Sequence, residues 1–178
     1  ILLLPMEILF IIPSMNLLVK NNHLFIKDKR LQCAIGRGGL KRNKVEGDLS
    51  TPIGTFKFNK IYYRADKLGE TNFEIDSSII QKNDGWCDDE KSKFYNQYIQ
   101  FPFNESAEHL YREDDIYDIF CVLNYNTSPI IPGLGSAIFL HVARSNFAGT
   151  EGCIALDKEA LLKIATKITY DSRIVIED

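Results

Sequence analysis

Short apolar runs alternating with polar positions dominate this chain, and they predict strands. Asn16 to Val19 and His23 to Lys27 read as two strands about a Lys20-Asn-Asn22 turn, and Leu31 to Ile35 continues as a third that stops at glycines. Thr55 to Ile61 reads as another. Phe94 to Phe103 alternates Tyr, Gln and Phe in a way that suits a half-buried strand or an extended cover. Tyr117 to Tyr125 is almost continuously apolar, which predicts a central strand. Ala137 to Leu140 and Cys153 to Leu156 are two more short apolar strands. The period changes only after Leu156. Asp157 can cap a helix, Leu161, Ile164, Ala165 and Ile168 follow i, i+3, i+4, i+7 spacing, and Arg173 to Ile176 returns to strand. Many strands with one clear C-terminal helix define a mainly β chain.

The remaining stretches are punctuated by turn residues. Residues 62–92 show scattered charge and little periodicity, so they are expected to form an insertion, either a lid or a mobile loop. Within it Asn83-Asp-Gly-Trp86 reads as a turn presenting the only Trp, which could line a cleft or, more commonly, pack on the core. Gly36 to Gly39, with Arg37, Lys41, Arg42 and Lys44, lacks the Gly-Lys-Ser/Thr order of a phosphate loop and reads as a basic connection near an anionic substrate. Gly47-Asp48, Thr51-Pro52 and Gly54 read as successive turns. Pro129, Pro132, Gly133 and Gly135 form a turn-rich approach that aims the strand at Ala137. At the front, Ile1 to Ile12 is apolar but interrupted by Pro5 and Glu7 and preceded by no Lys or Arg. It makes a poor signal peptide and is too short for a membrane span. The expected organisation is an N-terminal apolar segment, 1–14, ahead of one domain, 15–178.

Composition narrows the function. The chain has 178 residues, 45% of them hydrophobic and 25% charged, as expected for one globular domain with a proper core. Its net charge of -3 leaves no basic footprint for nucleic acid. None of the four cysteines has C-x-x-C spacing, which argues against structural zinc. Cys33 and Cys121 sit in apolar runs, where a buried thiol is the default. Cys87 reads as part of a polar turn, and Asp88, Asp89 and Glu90 beside it would oppose thiolate formation. Of the three histidines, His23 falls in a turn and His109 has no motif around it.

That leaves Cys153 and His141, twelve positions apart at the edges of two neighbouring strands. A free thiol is mostly protonated at neutral pH, whereas a thiolate beside an imidazolium is a strong nucleophile. His141 would draw the proton from Cys153. Gly152, without a Cβ, permits a tight turn and close approach of a carbonyl, and the N–H groups of Gly152 and Cys153 could form an oxyanion site.

The segment Phe139-Leu-His141, a spacer, then Thr150-Glu-Gly-Cys153-Ile-Ala-Leu resembles the active-site signature of the L,D-transpeptidase (YkuD-domain) family, in which a His precedes Ser/Thr-x-Gly-Cys. A second block, Gly36-Arg-Gly-Gly followed by Glu46-Gly-Asp48-Leu-Ser-Thr-Pro52-Ile-Gly-Thr-Phe56, resembles the family's upstream Gly-Asp-x-x-Thr-Pro-x-Gly-x-Phe. Trp86-Cys-Asp-Asp and Tyr125 to Arg144 resemble a bacterial branch of it. Many members carry a second His two residues before the Cys and an Arg two after it, where this chain has Glu151 and Ala155. The resemblance implies a β-sandwich and a peptidoglycan enzyme in which Cys153 attacks a stem-peptide carbonyl. The acyl group then passes to an amine of another stem, giving L,D (3-3 type) cross-links, or to water, as in an L,D-carboxypeptidase or amidase; the alternative of another class is a non-catalytic cell-wall-binding module with an inert Cys153. The resemblance implies a monomer that needs no cofactor, is open to carbapenem acylation, and works in the periplasm or cell envelope, although the weak leader leaves cytoplasm open. Arg144 is the expected partner of a substrate carboxylate, because a guanidinium grips that group with two prongs, unless it pairs with Glu151 instead. Thr150 and Glu151 are expected beside it at the substrate.

Overall fold

Asn21 and Asn22 both take left-handed backbone angles, φ 51° and 57°, and so close the tight turn between β1 (Asn16–Lys20) and β2 (His23–Ile26). The computed structural model describes residues 14–178, so the expected segment 1–14 lies, apart from Ser14, outside the described residues. The chain continues through β3 (Lys29–Ala34), β4 (Leu40–Lys41), β5 (Thr51–Pro52) and β6 (Gly54–Tyr63). A single turn of helix, α1 (Ala65–Leu68), precedes β7 (Ser77–Ile79), β8 (Asp84–Cys87), β9 (Tyr98–Gln100) and β10 (Ala107–His109). Then come β11 (Ile119–Leu123), β12 (Phe139–Val142), β13 (Ile154–Leu156), α2 (Lys158–Ala165) and β14 (Arg173–Ile176).

Two long strands make the architecture. β6 pairs with β14 over Gly54–Lys57 and with β11 over Phe58–Tyr63, while β3 pairs with β2 over Lys29–Gln32 and with β13 at Cys33 and Ala34. Passing from one sheet to the other, they join a β1–β2–β14 layer to a β11–β12–β13 layer in a mainly β sandwich. Leu17, Leu24, Ile61, Cys121, Leu140, Ile154 and Ile174 fill the space between the layers. α2 packs on β11 and β12, burying Leu161, Ile164 and Ala165. Asp157 caps it as expected, accepting from the N–H groups of Glu159 and Ala160. Among the described residues, no helix is long and apolar enough to cross a membrane.

β11 is buried on both faces, which explains its unbroken apolar run. Ile119, Cys121 and Leu123 face the inner core, whereas Phe120 and Val122 join Tyr62, Trp86, Phe139 and Cys153 in a second cluster. Above that cluster stands a small sheet of order β10-β8-β9.

This small sheet corrects two expectations. Residues 62–92 do not form a lid or mobile loop: they hold the end of β6, α1, β7 and β8, and Trp86 is buried edge-on against Phe139 with ring centroids 5.0 Å apart. Cys87 lies not in a polar turn but in β8, fully buried. The expectation failed because these strands are three or four residues long, too short to display a period.

Candidate active site

β12 and β13 run parallel, with Leu140 opposite Ile154 and His141 opposite Ala155. Side chains alternate along a strand, so Phe139 and His141 share a face with Cys153 and Ala155. Cys153 is the last residue before β13, diagonal to His141 on the outer face of the sheet. Both open into one cleft of about 620 Å³, lined also by Tyr117, Glu108, Arg112 and Arg144.

The thiol and the imidazole rest without bonding each other. Cys153 Sγ donates to the Ala137 carbonyl at 3.0 Å and accepts the Phe139 N–H at 3.3 Å. Ala137 has a left-handed φ of 51°, and its N–H is held by Asn96 Oδ1, which also accepts from Trp86 Nε1. His141 Nδ1 lies 2.9 Å from the Val142 carbonyl. A carbonyl can only accept, so Nδ1 carries the hydrogen and Nε2 keeps its lone pair. Tyr117 presents its ring edge-on to His141, with centroids 5.7 Å apart.

Burial makes both groups neutral at rest. It pushes the Cys153 thiol up to about 12, against a smaller opposing effect of the Phe139 N–H and Lys44, with Glu108 and Glu151 adding to the rise. It pulls His141 down to about 4, partly opposed by the Val142 hydrogen bond and reinforced by Arg144 and Arg112. The resting pair is therefore a neutral thiol and a neutral imidazole, rather than a thiolate beside an imidazolium. Glu108 is also displaced: burial raises it to about 7 although the Tyr117 hydroxyl donates to it at 2.8 Å.

Residues far apart in sequence support the turn before Cys153. Gly152 has a φ of 138°, and a Cβ there would lie 2.9 Å from the Ser50 carbonyl oxygen, so glycine is required. Thr51, fully buried, donates to the Gly152 carbonyl at 2.8 Å and accepts the Gly36 N–H at 2.8 Å. Gly36 and Gly38 let the chain pass against Leu49, Ser50 and Asp48, where any Cβ would meet backbone within 2.5 Å. Asp48 accepts from Lys44 Nζ at 2.8 Å and from the N–H groups of Ser50 and Val45. Burial disfavours its charge, yet these bonds prevail and hold the carboxyl well below the usual range.

The expected substrate contacts divide. Arg144 is exposed and lines the cleft. It does not pair with Glu151, whose partner is Arg37 at 2.9 Å. Thr150 is spent inside the turn: its hydroxyl donates to the Cys153 carbonyl at 2.6 Å and accepts the Gly152 N–H at 3.1 Å. The Gly152 N–H is thus already engaged in this resting state. His23 opens β2 and bonds Asn21, and His109 stacks on Phe101 at 3.8 Å, so neither competes with His141. Sequence reasoning missed the roles of Ala137, Phe139, Tyr117 and Glu108, which only the sheet pairing brings to the thiol. Thr51 and Asp48 were visible inside a motif but read merely as turn formers. Among the described residues, no group of three or more His, Cys, Asp or Glu side chains could hold a metal ion.

The β-sandwich thus sets a Cys and a His on one face of two parallel strands, inside one cleft. The chain belongs to the L,D-transpeptidase catalytic domain (YkuD) family, whose family model matches residues 5–176. Among solved structures, the crystal structure of Mycobacterium tuberculosis L,D-transpeptidase 1 matches at 12% sequence identity and a TM-score of 0.41, over 93% of this chain and 60% of that one. This chain therefore spans less than two thirds of that protein. No curated protein matches it.

Proposed function

We propose that the protein is a cysteine acyltransferase acting on peptidoglycan stem peptides. The observation that carries this reading is the placement of Cys153 and His141 on one face of β12 and β13 inside a single cleft. As a stem-peptide carbonyl approaches, Cys153 sulfur bonds to its carbon and His141 Nε2 takes the thiol proton. The carbon–nitrogen bond then breaks, and His141 returns the proton to the departing amine. A thioester remains. An amine of a second stem, giving up a proton to His141, attacks that thioester and forms an L,D (3-3 type) cross-link while the thiol is restored. The Cys153 N–H faces the developing oxyanion in this reading, and Gly152 joins it once its bond to Thr150 is exchanged.

The cleft carries both signs of charge, from Arg112 and Arg144 and from Glu108 and Asp88, which suits a peptide bearing carboxylates and an amine. Arg144 takes a substrate carboxylate. Such a substrate lies in the cell envelope, and the protein is assigned there, as a monomer, as part of the same proposal.

Incubation with a carbapenem followed by intact-mass measurement tests the acylation. One covalent adduct is expected, lost in Cys153→Ala and formed far more slowly in His141→Ala. A folded protein that takes no adduct and releases no terminal residue from tetrapeptide stems would refute the reading. Products of the stem reaction separate amine from water as acceptor.

A further inference from the structure

Lys44 follows the glycine-rich loop in a run of basic residues, where a solvated charge is the ordinary fate. Here its side chain is only 2% exposed. The stem passes under Gly135, where a Cβ would meet Lys44 Cε at 2.7 Å. The ammonium ends 3.5 Å from the point where a Cβ of Gly152 would stand, directly before the nucleophile. Asp48, 6% exposed, holds it at 2.8 Å, and the Val45 carbonyl accepts from it at 3.4 Å.

Packing does not account for this charge. A strut between the Gly135 and Gly152 turns could be made by a Met of similar length. Replacing the whole buried pair, Lys44 with Asp48, by apolar side chains is often neutral or stabilising, whereas removing Lys44 alone leaves Asp48 without its buried counter-charge. An ammonium makes sense where negative charge develops nearby. Glu108 and Glu151 oppose such charge on the thiol, Tyr117 and the neutral His141 line the same face, and Lys44 stands on the other side of the turn.

We propose that Lys44 is a positioning residue: held under the Gly152–Cys153 turn by Asp48, its ammonium stabilises the negative charge that appears on Cys153 during attack. It lies beside Gly152, not on the reacting atoms. The inference rests on Cys153 being the nucleophile.

Alkylation of Cys153 by iodoacetamide, followed by intact mass from about pH 7 to about pH 10, reads the thiolate without any peptidoglycan substrate. The inference can therefore fail while the acyltransferase reading stands, and the reverse. In Lys44→Met the rate curve is expected about tenfold below the parent at each pH, equivalent to one pH unit. Lys44→Arg keeps the charge and is expected to follow the parent curve. Asp48→Asn removes the counter-charge, and its curve is expected above the parent. A purely structural role would loosen the turn in both Lys44→Met and Asp48→Asn and move both curves the same way. That result, or curves that coincide with the parent in folded variants, overturns the inference. Should Lys44→Met fail to fold, the direction of the Asp48→Asn curve decides.

Discussion

Thr51 and Gly152, remote in sequence, are joined by one buried hydroxyl: Oγ1 donates to the Gly152 carbonyl at 2.8 Å while accepting the Gly36 N–H. The bond ties the upstream block of the chain to the turn carrying the nucleophile. In Thr51→Val the shape is kept but two buried backbone groups lose their partner. Each such loss costs about 1–3 kcal/mol, so urea denaturation should show a drop of roughly 2–6 kcal/mol. Thr51→Ser, which keeps the hydroxyl, should retain most of the stability and the acylation rate.

The neutral resting pair has a kinetic signature. With its thiol pushed up to about 12, Cys153 should alkylate slowly at neutral pH and ever faster up to about pH 10, with no plateau. Because His141 does not bond the thiol at rest, His141→Ala should leave that profile nearly unchanged while slowing carbapenem acylation by about 100-fold or more. A plateau near neutral pH that vanishes in His141→Ala would contradict the neutral pair.

His141 also links stability to pH. Its value falls from 6.5 when unfolded to about 4 when folded, so between these values the unfolded chain binds the extra proton and stability is lost as pH falls. The loss should approach about 3 kcal/mol at the acid end. Glu108, raised from 4.5 to about 7, acts with the opposite sign, losing stability as pH rises through that range. The difference in unfolding free energy between the parent and His141→Gln isolates the histidine: it should be flat above about pH 7 and slope steadily below it.

Arg144 is exposed at the rim and free of Glu151, so its removal should cost little in stability. Arg144→Ala is expected to shift the thermal midpoint by less than about 2 °C and to leave alkylation of Cys153 intact. Its use of tetrapeptide stems should fall by about tenfold or more, as expected for loss of a charge-assisted bond. Unchanged stem kinetics would remove Arg144 from the substrate.

The parts of this fold legible in the sequence are those that carry their own period. β1, β2 and the helix α2 announce themselves by alternation, by an Asn-rich turn and by a cap, and β11 by a run that needs both faces covered. That Cys153 and His141 meet on neighbouring strands is legible in their motif. What escaped depends on partners distant in sequence. Trp86 and Cys87 are buried because β8 lies between β9 and β10, which no local pattern encodes. Lys44 is buried because Asp48 curls back to meet it, although four-residue spacing of opposite charges was a signal that could have been weighed. The neutrality of Cys153 and His141 follows chiefly from burial, which residue type does not report.

The parallel pairing of β12 and β13 separates two kinds of change. Register between His141 and Cys153 is held by the ladder and by the Thr51 and Thr150 hydroxyls, not by the residues 144–148 that connect the strands on the exposed side. Insertions, deletions and substitutions there can accumulate without displacing base from nucleophile. The connection is thus a module for drift and selection, along which substrate preference can diversify while the reaction stays the same.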